Sequence, residues 1–151
     1  MKIRYALLVA LLLPVALAGQ EVSSDQRDAV IAALKHFRKE LPAGPIALQM
    51  EGLPNEGDAL PVAAAVGAQA KPRTEIARCD GGKCRLNGVV GGLIASDLSQ
   101  RSSDHITMTI TTMVEEGIAD RQWISARGYT VQLRKTGGSW EVVSTELRRR
   151  S

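Results

Sequence analysis

At 151 residues, with 19 basic and 16 acidic side chains, the chain is long enough for one domain with its own core. Aromatic residues make up only 3% of it, which leaves an aliphatic core and argues against a stacking platform for bases or flavins. The formal charge of +3 is too small and too evenly spread for a nucleic-acid footprint.

The first eighteen residues read as an address. Lys2 and Arg4 make a basic start, Ala6 to Val15 is a nearly unbroken apolar run, and Ala16-Leu17-Ala18 places small residues where a signal peptidase reads. The run is shorter than the ~20 apolar residues a membrane span needs, and no later segment is long enough to be one. No cysteine follows it, which argues against a lipoprotein anchor. The expected organisation is a signal peptide over residues 1–18 and a single α+β domain over 19–151. The protein would be exported, periplasmic or secreted, after cleavage near Ala18. Cleavage removes two of the basic residues, leaving 17 bases against 16 acids, a net +1. The rest is a mild dipole, −3 over residues 19–58 and +4 over residues 59–151.

Behind that leader the spacing predicts a helix from Ser24 to Leu41. Ser23 and Gln26 have the spacing of a capping box, and Val30, Leu34, Phe37 and Leu41 form one apolar stripe. Asp25 and Asp28 in the first turn suit the helix dipole, as do Lys35, Arg38 and Lys39 near the last. Pro42 ends the helix. His36 lies off the stripe and reads as an exposed helix residue. Ile46 to Met50 alternates as a short strand, with Ile46, Leu48 and Met50 inward. Ala59 to Lys71 reads as a second, alanine-rich helix capped by Asp58 and stopped before Pro72.

Thr74 to Leu86 reads as a hairpin around Cys79-Asp80-Gly81-Gly82-Lys83-Cys84. In an exported chain two cysteines five apart across a glycine turn read as a disulfide, Cys79–Cys84. A redox pair would use Cys-x-x-Cys at a helix start. A zinc site needs two further ligands, and neither His36 nor His105 belongs to a ligand motif. No cofactor, metal or catalytic residue is assigned. The glycines at 88, 91 and 92 lack the lysine and the spacing of a phosphate loop. They read as a strand with bulges or close backbone contacts.

The C-terminal third carries the clearest periodicity. From His105 to Thr111, Ile106, Met108 and Ile110 face inward, while Thr107, Thr109 and Thr111 face solvent. Glu115 to Asp120 reads as a solvated turn, in which the adjacent Glu115 and Glu116 cannot share a face if extended. Trp123 to Lys135 reads as a long strand with two phases, Ile124 and Ala126 against Tyr129, Val131 and Leu133. A bulge at Gly128 would bring both to one face. Thr136 to Ser139 is a hairpin turn and Trp140 to Leu147 the closing strand. Arg148-Arg149-Arg150 reads as a solvated tail or a contact for an anionic surface.

Residues 129–142, Tyr-Thr-Val-Gln-Leu-Arg-Lys-Thr-Gly-Gly-Ser-Trp-Glu-Val, resemble the final hairpin of NTF2-like (SnoaL/ketosteroid-isomerase-like) domains. The element order over residues 24–147 is similar as well. The resemblance implies an N-terminal helix and a second short helix packed on a curved antiparallel sheet, a cone holding an apolar pocket. Members of that superfamily include isomerases, hydrolases, ligand binders and dimeric partner modules, and no functional residue of theirs has a matching motif here. The expected function is non-catalytic binding of a small apolar ligand or a protein partner, with self-association as a homodimer left open. Two alternatives stand beside it. One is a pocket isomerase or hydrolase using a buried carboxylate, for which Asp97, Asp104 and Glu116 are the acids near strand ends. The other is an envelope interaction module presenting Thr107, Thr109 and Thr111.

Overall fold

A computed structural model describes residues 23–52, 56–118 and 121–150. The signal segment and its cleavage site lie outside the described residues. The chain begins with helix α1, Ser24–Arg38. Its start is one half of the expected box: Ser23 Oγ accepts from the Gln26 amide at 3.2 Å. The Gln26 side chain donates instead to Gln100 Oε1 at 2.9 Å. Ala29, Val30, Ala33, Leu34 and Phe37 form the buried stripe.

Strand β1, Ile46–Met50, lies as expected. Helix α2 is shorter than its alanine-rich sequence suggests, Ala59–Val66. Gly67 ends it in the left-handed conformation, φ 66°, and Ala68–Ala70 then forms strand β2 beside β1. Asp58 precedes α2 but does not cap it through its side chain. Its carboxylate takes the Arg27 guanidinium at 2.7 Å, tying α2 to α1.

A one-turn helix α3, Arg73–Ile76, leads into a two-stranded hairpin of β3, Ala77–Asp80, and β4, Lys83–Leu86. Gly81 and Gly82, at φ 54° and 77°, supply the two positive φ values of a two-residue hairpin turn. Cys79 and Cys84 face each other in register and are disulfide-bonded. Four long strands follow: β5, Gly91–Ser102; β6, His105–Ile118; β7, Arg121–Thr136; and β8, Ser139–Arg150.

The main sheet has the order β2-β1-β5-β6-β7-β8. It is mixed, not wholly antiparallel as expected: β1 runs parallel to both β2 and β5, and only β5 to β8 form an antiparallel meander. The physical reason is α2. By linking β1 to β2 it makes a crossover, which returns the chain in the same direction. The architecture is α+β, with a large curved mixed sheet and few helices.

Each face of the sheet is packed differently. On the inner face Ile46, Leu48, Leu93, Ala95, Ile106, Met108, Ile110, Val131 and Leu133 meet the stripes of α1 and α2. On the outer face Ala47 packs with Ile76, Leu86 and Val89, and Met113 and Ile124 lie against them. Strand β5 enters between these layers, which explains its glycines. A Cβ at Gly91 would sit 3.3 Å from a Leu41 methyl, and one at Gly92 would sit 3.2 Å from Ile76 Cγ2. The sequence reading of close backbone contact describes both positions.

The long strands depart from expectation in three places. Glu115 to Ile118 is not a turn but the end of β6, and residues 119–120 lie outside the described residues. The pairing of β6 with β7 runs from His105↔Arg134 to Ile118↔Arg121 without interruption across Gly128. No bulge therefore unites the two phases of β7. Ile124 belongs to the outer face, and Tyr129, Val131 and Leu133 to the inner. The irregularity near Gly128 falls on the other side, where β8 carries an extra residue between Leu147 and Arg149. Finally, Arg148-Arg149-Arg150 is not a frayed tail, because β8 continues through it and pairs with Arg127 and Gly128.

Candidate functional site

The inner face of β6 and β7 is longer than the helix that covers it. Toward their shared end the inward positions become mixed, with polar side chains among Val114 and Trp123, the latter 41% exposed. On β6, Ile106, Met108 and Ile110 give way to Thr112, Val114 and Glu116; on β7, Leu133, Val131 and Tyr129 give way to Arg127 and Ser125. Direct pairing of Thr112 with Arg127 and of Val114 with Ser125 places these four side by side. With Tyr129, Leu41 and Glu40 they line a cleft of about 90 Å³ just beyond the C-terminal end of α1.

Its floor is polar and covered. Thr112 and Ser125 are the two buried polar residues of the described chain, at 8% and 4% exposure. The Arg127 side chain keeps 39% of its exposure and reaches along the floor to Glu116, with Nη2 3.3 Å from Oε1. Glu116 pairs across the sheet with Trp123, not with Arg127, so the arginine must cross its neighbours on the same face to arrive there. The Arg127 Nε is buried and has no acceptor. Tyr129 forms one wall, fixed by the Phe37 ring at a centroid distance of 4.9 Å.

Two other depressions are more open. One of about 300 Å³ lies at the β1–β2 edge, lined by Leu48, Gln49, Met50, Ala59, Ala70, Lys71 and Pro72. The other, about 500 Å³, is a shallow basin over the hairpin lined by Arg78, Asp80, Lys83 and Arg85. The first includes Gln49, whose Nε2 donates to Glu51 Oε1 at 2.9 Å while its Oε1 is buried without a hydrogen-bond partner; the second is lined by charged side chains.

The three acids singled out in sequence are separated by the fold. Asp97 is exposed on β5 at a register shift, with φ 54°, and accepts from Ser96 Oγ at 3.1 Å. Asp104 lies in the β5–β6 turn, where the Ser102 hydroxyl holds its carboxyl below the usual carboxylate range. Glu116 alone adjoins the cleft, engaged by Arg127. Its neighbour Glu115 points the other way and accepts from the Leu86 amide at 2.5 Å, fastening the hairpin to β6. His36 is exposed, and His105 shares the outer face with Thr107, Thr109 and Thr111. Among the described residues no three His, Cys, Asp or Glu side chains are grouped to hold a metal.

A second polar cluster is structural. Asp25 in the first turn of α1 accepts from Lys135 Nζ and, at 3.0 Å, from Trp140 Nε1. The Lys135 hydrogen bond is the main cause that holds the Asp25 carboxyl below its ordinary range. This clip fastens the start of α1 to the final hairpin, at the opposite end of α1 from the cleft.

The cleft residues Thr112, Ser125 and Arg127 were not found by reading the sequence. Their signal is the loss of aliphatic character at alternate positions of two paired strands. The supposed bulge at Gly128 hid it by assigning Ile124 and Ala126 to the inner face. The chain matches no protein-family model, and neither curated proteins nor solved structures contain a match to it.

Proposed function

We propose that this chain is an exported, non-catalytic binding domain of NTF2-like type, which receives a small ligand in the cleft beyond α1. The observation that carries this reading is the uncovered end of the inner sheet face, where Thr112, Ser125, Arg127 and Tyr129 converge beneath the Leu41 side chain. A buried guanidinium N–H without an acceptor, here the Arg127 Nε, is costly. A ligand that supplies an acceptor to it recovers that cost. Leu41 and Val114 offer apolar contact beside the polar floor, so the ligand would combine an apolar body with a polar end. The Cys79–Cys84 disulfide agrees with export, since such bonds persist in oxidising compartments. No helix among the described residues is long and apolar enough to cross a membrane.

The pocket-enzyme reading retains one supporting observation, the position of Glu116 beside the cleft. Its carboxylate is occupied by Arg127, which makes it a holder of the arginine rather than a free base. The interaction-module reading would use the outer threonines, which are half-buried.

The test is amide-shift mapping of the full chain against a set of small fragments. Binding at the cleft moves Thr112, Ser125, Arg127 and Tyr129 together and saturably. Shifts confined to the outer threonines, or to β8, would refute the assignment. The mass of the protein recovered from outside the cell tests cleavage near Ala18 independently.

A further inference from the structure

The β3–β4 hairpin turns one face to the sheet and the other to solvent. Leu86 is buried with Ala47, Ile76 and Val89, and its amide donates to the Glu115 carboxylate. On the solvent face Arg78 stands directly across from Arg85, and Asp80 directly across from Lys83. Residues two apart share one face of a strand, so these four side chains rise together, all exposed. They line a shallow basin of about 500 Å³. Three cations and one carboxylate give it a net charge of +2. On α3, which leads into β3, Arg73 and Glu75 cancel each other. Glu115, whose carboxylate is taken by the Leu86 amide, lowers the sum only to +1 if it is counted.

Like charges directly opposite each other on paired strands are destabilising. Among the described residues the ion pairs are Arg27–Asp58, Arg73–Glu51, Arg127–Glu116 and Lys135–Asp25, and none engages Arg78, Lys83 or Arg85. A two-stranded hairpin is marginal by itself, and strands of four residues relieve such repulsion by fraying or slipping. The disulfide prevents both. Cys79 and Cys84 are the next pair along the ladder, so the bond that fixes their register also fixes the two arginines side by side. Facing Cβ atoms stand about 4.5–5.5 Å apart, close enough for two guanidinium forks to close on one tetrahedral oxyanion. Each fork donates two parallel N–H bonds. The two oxygens of a carboxylate fill one fork only. A phosphate monoester has three strong acceptor oxygens and a charge of about −1.5 to −2, which serves both forks and matches the basin's charge.

We propose that the solvent face of the β3–β4 hairpin binds a phosphate monoester group. Arg78 and Arg85 hold its oxygens from two sides, and Lys83 supplies the third positive charge. Asp80 opposes the anion from the turn end of the basin. The disulfide is then a positioning bond, which holds the two guanidiniums in place before the ligand arrives. The hairpin packs on the outer face of the sheet and the cleft opens on the inner, so this site stands independently of the cleft.

The experiment titrates the full, disulfide-bonded chain with methyl phosphate, dimethyl phosphate and acetate at constant ionic strength, reading the amide shifts of residues 78–85. Methyl phosphate should saturate, with dimethyl phosphate and acetate each about tenfold weaker or worse. Arg78→Gln and Arg85→Gln should each weaken methyl phosphate about tenfold, and Asp80→Asn should strengthen it. Arg101→Gln removes an exposed cation from β5, away from the hairpin, and should leave binding unchanged. All four substitutions fall on exposed side chains, where stability changes little. Vesicles containing phosphatidic acid separate two sources of the group. Co-sedimentation with them that is lost in Arg85→Gln shows a lipid headgroup presenting it, and methyl phosphate binding without co-sedimentation shows a free phosphate ester. Dimethyl phosphate or acetate binding as tightly as methyl phosphate overturns the proposal. So does methyl phosphate that fails to saturate, that binds unchanged in both arginine variants, or that is weakened as much by Arg101→Gln.

Discussion

Gly92→Val tests whether the hairpin layer is part of the fold's packing or an appendage to it. Gly92 faces outward from β5, where a Cβ would lie 3.2 Å from Ile76 Cγ2 and 3.5 Å from the Met113 Cβ. The backbone there has no positive φ, so valine meets crowding and not backbone strain. Overpacking of this kind costs about 1–3 kcal/mol. Against it stand the gain of about 0.4–1 kcal/mol from restricting the unfolded chain and valine's strand preference, up to ~1 kcal/mol. At mid-range these leave a net loss of about 0.5–1 kcal/mol. Ile76→Ala alone should cost about 2–5 kcal/mol, because Ile76 is fully buried among Ala47, Leu86 and Val89. In the double variant the valine methyls occupy the space the isoleucine vacates. The combined loss should therefore fall short of the sum by at least about 1 kcal/mol. Urea unfolding at constant slope measures each term, and for a domain of roughly 130 residues 1 kcal/mol corresponds to about 4 °C in Tm. Losses that add within about 0.5 kcal/mol would show that Ile76 does not press on β5, and the outer layer would have to be redrawn.

Asp25→Asn should destabilise by about 1 kcal/mol, at the low end for charged hydrogen bonds because Asp25 and Lys135 are each about one-third exposed; equal stability of the variant at pH 7 would remove the clip from the account. Since the Asp25 carboxyl lies lower in the folded than in the unfolded chain, its contribution is present in full above the ordinary aspartate range and is lost as pH falls through the lowered folded value. The wild type and Asp25→Asn should thus converge in stability toward strongly acidic pH, and a gap that widens on acidification would reverse the sign. Reducing Cys79–Cys84 frees its loop in the unfolded chain and should cost about 2 kcal/mol for so short a loop; urea unfolding of the oxidised and reduced chains measures it, and an unchanged midpoint would show that the bond does not stabilise the fold. Phe37→Ala should cost about 3–5 kcal/mol and free the Tyr129 ring, so broadening of the Tyr129 resonances ought to accompany the loss; an unmoved Tyr129 would mean that the contact does not fix the cleft wall.

The parts of the fold legible in the sequence were those with one period and one layer against them. Val30, Leu34 and Phe37 announce α1, and Ile106, Met108 and Ile110 announce the inner face of β6. The disulfide hairpin was legible because two glycines and two cysteines permit little else. Strand β2 was not. Ala68–Ala70 has no distinctive strand chemistry, and only its pairing with Ile46 to Leu48 makes it one. The mixed sheet follows from that pairing and was hidden with it. Buried on both sides, β1 shows Ala47 as covered as Ile46 and Leu48, so its alternation carried less meaning than it seemed to offer. Of the cleft, Tyr129 was visible as part of the terminal hairpin pattern and Glu116 as an acid near a strand end. Thr112, Ser125 and Arg127 are ordinary strand residues taken singly. They become a site only through the uninterrupted β6–β7 register.

The place of that site follows from two lengths. Helix α1 has 15 residues and spans ~22 Å at ~1.5 Å per residue. Strand β7 has 16 and spans ~53 Å at ~3.3 Å per residue. A helix laid on this sheet cannot cover strands more than twice its length. Pro42 bars a further turn, since it lacks the amide a continuing helix needs, and Arg38 donates to the Pro42 and Gly44 carbonyls, holding the exit in place. The chain then turns into β1, and Leu41 is the last apolar residue that the α1 segment lays over the inner face. An aliphatic floor beyond that point would be an exposed apolar patch. Thr112, Ser125 and Arg127 avoid that exposure, and in doing so they put hydrogen-bonding groups in a recess that the helix end and Tyr129 still shelter. Helix length, proline stop and strand register thus set both the position of the cleft and its polarity.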